Sequence, residues 1–142
     1  MVSRILVPMD DSEMAAQALV YAIERYADAE ITVLHVVGGA TMMMGDAVSL
    51  ALEDDVDTAA KARAEPVFER ARELASEYDV DIQTTVGVGD PARAIVTRAQ
   101  HYDTVVMGSH GQHSEAIARG FLIGNVAQKV FRRSPVPVTT VR

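Results

Sequence analysis

The sequence predicts a doubly wound α/β sandwich: a five-stranded parallel sheet with helices on both faces. Three observations carry this. Five short apolar runs rich in Val, Ile and Leu alternate with four segments of helical period. The links between them are short, and strands joined through a helix in this way pair in parallel by right-handed crossovers. Two of the runs empty into loops of Asp, Ser and Gly, residue types that leave a strand and begin a helix.

Arg4-Ile-Leu-Val-Pro8 is the first strand. Apolar positions at Ala15, Ala18, Leu19, Ala22, Ile23 and Tyr26 define one face of a helix from Ser12 to Ala27. Asp10 or Asp11 is expected to cap it, with Glu13 reaching back as in a capping box. Ile31 to Val37 is the second strand, and Gly38 to Leu50, with Met42-Met43-Met44, has no period and reads as a loop. A charged helical segment runs from Ala51 to Tyr78, and Pro66 inside it predicts a kink or a restart near Glu65.

Val80 to Val86 alternates like a third strand. Asp90-Pro91 starts a helix that reaches Gln100, with Asp as N-cap and Pro at the first helical position. Thr104 to Met107 is the fourth strand, Val126 to Arg132 the last helix and Val136 to Val141 the fifth strand. Pro137 has no N–H to give a ladder, which places that strand at a sheet edge or a subunit boundary.

A length of 142 residues, 49% of them hydrophobic, suits one domain with a core that needs no staples. No apolar run is long enough to span a membrane, and the first strand begins too early to leave room for a signal peptide. A cytoplasmic location is therefore expected, and the absence of cysteine agrees with a reducing compartment and excludes thiolate chemistry. The net charge of −7 and the lack of a dense basic stripe argue against nucleic acid as a partner. The acidic, lysine-poor balance also suits a protein that stays hydrated in high salt.

Asp103-Thr-Val-Val-Met-Gly-Ser-His-Gly111 is the stretch richest in chemical content. A buried strand there ends in a Gly-x-x-Gly spacing, and Gly124-Asn125 follows just before a helix. Glycine loops beside a helix N-terminus present backbone N–H groups and a favourable dipole to a phosphate. An ordinary glycine-rich βα connection explains the same residues. In doubly wound sheets a ligand sits beyond the carboxyl ends of the strands, where strand order reverses. If strands one and four are neighbours, Pro8-Met9-Asp10 faces Met107 to Gly111 across such a crevice.

Asp10 is placed on the nucleoside side of that crevice, as acceptor for a base amino group or a ribose hydroxyl, and Asp11 in solvent. A phosphate would be held by backbone N–H groups, by Ser109 and Asn125, and by Arg119. No Walker-type Gly-x4-Gly-Lys-Ser/Thr occurs, so the expectation is binding without fast turnover, and no catalytic residue is assigned. His110 and His113 form a His-x2-His pair without a third ligand nearby, so no metal site is assigned. His35 reads as a satisfied core histidine, and His101 as compensation of a helix dipole.

Ile5 to Glu13, Leu34-His-Val-Val37, Val88-Gly-Asp-Pro91, Asp103 to Gly111 and Ser134 to Arg142 together resemble the universal stress protein family of the single-domain type. The resemblance implies strand order 3-2-1-4-5 in a Rossmann-like fold of the adenine nucleotide alpha hydrolase kind. It also implies a homodimer through the last strand and, in one branch, ATP in the crevice. That branch carries Gly-x2-Gly-x9-Gly-Ser/Thr. Gly108 and Gly111 match its first half, Gly124 is the candidate third glycine, and Asp10, Val36 and Met107 match positions lining the adenosine pocket. Pro8, Met9, Ser109, His110, Asn125 and Val126 complete the implied ligand set around ATP or a related adenine nucleotide, with Mg2+ as an optional companion. Two departures stand out: twelve residues separate Gly111 from Gly124, and Asn125 replaces the hydroxyl residue. The alternative is a dimerisation and interaction module of the same fold that binds no nucleotide, with the methionine loop and last strand meeting a protein partner.

Overall fold

The computed structural model describes residues 2–38, 53–110 and 124–142. Five strands and four helices alternate through them: β1 Arg4–Pro8, α1 Glu13–Arg25, β2 Glu30–Val37, α2 Glu53–Glu77, β3 Ile82–Val88, α3 Pro91–Ala99, β4 Thr104–Gly108, α4 Asn125–Arg133 and β5 Val138–Val141. Every ladder is parallel, in the order β3-β2-β1-β4-β5. Both the fold class and the strand order are those expected.

The strands are buried on two faces because apolar residues occupy both sides of the pleat. Ile5, Val7, Ile31, Val33 and Val106 pack against Leu19 and Ile23 of α1 and Phe68 and Ala71 of α2. Leu6, Leu34, Val105 and Met107 pack on the other face against Ala92 and Ile95 of α3 and Ala127 and Val130 of α4. Among the described residues no helix is long and apolar enough to cross a membrane.

Local chemistry moves several boundaries. The N-cap of α1 is Ser12, whose Oγ accepts from Ala15 N at 3.1 Å, rather than Asp10 or Asp11. Asp10 instead accepts from Ser12 N at 2.9 Å, which turns the chain into the helix, and Glu13 turns away to Arg70 at 2.7 Å. Helix α2 continues through Pro66 with no restart. Pro66 and Ala62, whose carbonyl loses its intrahelical partner to the proline, are both exposed, so the freed acceptor lies on the solvent side of the helix.

The third strand starts at Ile82, two residues later than its alternation suggests. Asp79 adopts φ 56° and Val80 N–H bonds back to Ala75 O, so residues 79–80 close α2 before the strand begins. The expected cap of α3 is present, with Asp90 Oδ2 accepting from Arg93 N at 2.9 Å. Strand β5 starts at Val138, and Pro137 precedes it at the sheet edge. The Pro137 carbonyl still accepts from Val105 N and Thr104 Oγ1.

At the amino end of the sheet Asp103 ties β4 to β1 by accepting from Ser3 N, Ser3 Oγ and Arg4 N at 2.8–2.9 Å. Hydrogen bonds from the Ser3 and Arg4 backbone hold its carboxyl below the ordinary value of 3.8. A depressed folded-state pKa contributes stability above the unfolded value, and that contribution is lost as pH falls from there through the lowered one. Denaturation midpoints measured down this acidic range should therefore fall less steeply in Asp103→Asn than in the parent protein. Parallel slopes would show that the carboxylate carries no such linkage.

Candidate functional site

Strand β1 pairs with β2 along its whole length, Arg4 to Pro8, and β4 pairs with β5 from Val105 to Gly108. Between β1 and β4 the register holds only at Ile5–Thr104 and Leu6–Val105. Past those pairs no further register is made, and Pro8 at the end of β1 has no N–H with which to extend a ladder. This is the point where strand order reverses, the place at which doubly wound sheets receive a ligand.

Helix α1 begins against the end of β4. A Cβ built on Gly108 would lie 2.8 Å from Met14 Cγ and 3.1 Å from Met14 C and O. The side chain that Gly108 lacks is what allows the first turn of α1 to rest on the end of β4. Gly108 does not have a positive φ; among the described glycines that conformation belongs to Gly89, at 116°. The close approach expected at Gly108 is thus made by the protein's own helix.

Pro8 and Met9 are buried at the root of the facing wall, with the Met9 side chain in the core beneath α1 and α2. Met9 N donates to Leu34 O at 2.8 Å, and Met9 O lies 2.7 Å from His35 Nδ1. A carbonyl can only accept, so this contact puts the imidazole proton on Nδ1. His35 is half-buried and bonded, as a satisfied histidine should be. Asp10 is the first residue beyond this clamp, half-buried at the lip, with Oδ1 held by Ser12 N.

On the opposite face of the sheet, Val36 of β2 and Met107 of β4 belong to one apolar cluster with Leu6, Leu34 and Ala127. Two of the expected nucleoside positions and the first turn of α4 therefore share an apolar floor, with Val36 half-buried and Met107 buried.

Ser109 is fully buried and heavily engaged. Its N–H donates to Val141 O at 2.9 Å, its carbonyl accepts from Gly124 N at 2.6 Å, and its Oγ lies 3.3 Å from Nδ1 of the buried His110. The bond to Gly124 stands α4 on the end of β4. Gly124 is the N-cap of α4, with φ −73°, ψ 167° and no side-chain cap bond. The N–H groups of the first helical turn have no intrahelical acceptor, so Asn125, Val126 and Ala127 point donors and the positive dipole end outward. Asn125 and Val126 are exposed. Gly111, His113, Arg119 and the methionine run lie outside the described residues.

The structure thus brings together Pro8, Met9, Asp10, Val36, Met107, Gly108, Ser109, His110, Gly124, Asn125 and Val126 around the carboxyl ends of β1, β2 and β4. Sequence reasoning gave no site role to Met14 and His35, which brace the two walls. The only local signal for His35 was its place beside Val36.

A doubly wound parallel sheet of this order, with a helix N-terminus that no N-cap side chain closes among the described residues standing at its switch point, defines a Rossmann-like α/β protein. Residues 1–142 match the Universal stress protein family, and the chain belongs to that family. It is 28% identical over 151 residues to universal stress protein YxiE of Bacillus subtilis, with both chains covered in full. Its fold is similar to that solved for the hypothetical protein MJ0577 of Methanocaldococcus jannaschii, with TM-score 0.78 and 26% identity, covering 99% of this chain and 96% of that one. It is also similar in fold to a universal stress protein solved in complex with cAMP, with TM-score 0.68 and 22% identity over 99% and 97% of the two chains.

Proposed function

We propose that the crevice binds an adenine nucleotide, ATP or a related one, as a regulatory ligand that is held rather than rapidly turned over. The observation that carries this is the N-terminus of α4, which has no side-chain cap among the described residues, is fastened to the end of β4 by the Gly124–Ser109 bond and adjoins an apolar floor of Val36 and Met107. The floor suits a purine face, and the helix terminus suits a phosphate. A protein of the same fold is solved with cAMP, which has both parts.

In this reading Asp10 accepts from a ribose hydroxyl or the base amino group, because a carboxylate offers two acceptor oxygens at the lip of the site. The phosphate grip rests mainly on Asn125, Val126 and Ala127 N–H, because the N–H of Ser109 is already given to Val141. Mg2+ offsets the charge of a triphosphate. The chain has no Walker lysine to drive phosphoryl transfer. The unit is a homodimer joined through β5, the strand at the sheet edge.

Calorimetric titration with ATP and AMP in the presence of Mg2+ should give submillimolar to millimolar dissociation constants. No binding at millimolar nucleotide overturns the proposal. Asn125→Asp sharpens the test, because the residue is exposed and the change removes no packing. A carboxylate in the first turn favours the helix slightly and repels phosphate. ATP affinity should fall by at least about tenfold while adenosine affinity and melting temperature do not fall.

A second reading is the dimerisation and interaction module without nucleotide. The contact of Gly108 with Met14 favours it, because it gives one motif glycine a structural role that needs no ligand. The same titration separates the two.

A further inference from the structure

We infer that His35 is a positioning residue for the nucleoside wall of the crevice, acting through the backbone of Met9 on Asp10; this rests on the adenine-nucleotide reading above. The β1–β2 ladder ends at Pro8–Leu34, and Met9 N to Leu34 O is the last backbone bond before the chain leaves the sheet for α1. Asp10 is the next residue. One strand neighbour thus holds the N–H of Met9, while its carbonyl is held by a side chain, His35 Nδ1 at 2.7 Å. That carbonyl belongs to the Met9–Asp10 peptide, which is planar, so fixing its oxygen fixes the amide and Cα of Asp10 with it.

The arrangement has a further consequence. Successive strand residues point to opposite faces, so His35 stands on the α1 side of the sheet while Val36 stands on the other, in the apolar floor. One dipeptide of β2 therefore braces the Asp10 wall with its first side chain and lines the floor with its second. Losing the His35 donor leaves a half-buried carbonyl without its partner and frees the peptide to rotate. The Asp10 carboxylate, which is oriented further by Ser12 N, then loses its set distance from the floor.

The test uses His35→Leu, which fills similar space without a donor, and His35→Asn, whose amide nitrogen can occupy the position of Nδ1. Binding of AMP, adenosine and inorganic tripolyphosphate is measured for each. In His35→Leu the affinity for AMP and adenosine should fall about tenfold, tripolyphosphate should bind as in the parent protein, and His35→Asn should regain most of the loss. In the absence of ligand, amide exchange at Ser12 should quicken in His35→Leu and return toward the parent rate in His35→Asn. Unchanged AMP affinity in His35→Leu, an equal loss for tripolyphosphate, or no recovery with Asn overturns the inference. A parent protein that binds none of the three overturns the nucleotide reading instead, and the exchange at Ser12 then decides by itself whether His35 positions this loop.

Discussion

Gly108→Val is expected to destabilise the protein by about 3 kcal/mol, the upper part of the usual range for overfilling a packed site. The added Cβ alone would stand 2.8 Å from Met14 Cγ and 3.1 Å from Met14 C and O, so two of its three nearest atoms are backbone that cannot swing aside. Valine's two further methyls add to this at the foot of α1. Gly108→Ala should show a smaller loss of about 1–2 kcal/mol, and Met14→Ala in that background should recover part of it, because Cγ is the nearest obstacle. Recovery should be incomplete, since Met14 C and O remain. Denaturant unfolding of the four proteins in this cycle measures the coupling. If Gly108→Ala unfolds like the parent protein but has lost nucleotide affinity, the glycine serves ligand approach and the packing account fails.

The second large effect is expected at the sheet edge, in Thr140→Pro. Val105 N bonds Pro137 O and Ser109 N bonds Val141 O, so odd-numbered residues of β5 face β4 and the backbone groups of Val138 and Thr140 face outward. A proline at 140 removes an outward donor and sets a ring against any strand approaching that edge, while the inward bonds belong to other residues. Association should weaken by at least about tenfold, which sedimentation at several concentrations reads directly, with the monomer still folded.

The opposite edge, β3, is blunted by the protein itself. Gly89 N bonds Val37 O, which leaves the Val86 carbonyl outward, and Arg98 Nη2 caps it at 3.0 Å. A dimer that forms as well in Thr140→Pro as in the parent protein would overturn the assignment to β5.

These two experiments mark where sequence reasoning succeeded and where it stopped. The strands, the four helices and the edge position of β5 were legible because they rest on local properties: period, capping residues and the missing N–H of Pro137. The cap of α3 was legible for the same reason, since Asp90 and Pro91 act within one turn. The cap of α1 was misassigned because four adjacent residues, Asp10 to Glu13, could each serve, and the outcome depended on Glu13 finding Arg70, distant in sequence. The start of β3 was misplaced because Asp79 takes a left-handed turn that alternation of side chains does not register.

At the site the difference is sharper. The sequence alone determined that two polar loops, the second of them glycine-bearing, would leave the carboxyl ends of β1 and β4, and that a helix would follow Gly124-Asn125, because strand and helix periods and turn residues act over a few positions. Tertiary structure decided what each group is free to do. It filled the space above Gly108 with Met14, gave the N–H of Ser109 to Val141, bound the Met9 carbonyl to His35 and tied the N-cap of α4 to the Ser109 carbonyl. The physical reason is that a backbone donor or a missing side chain can serve one neighbour at a time, and which neighbour arrives is set by chain segments dozens of residues away.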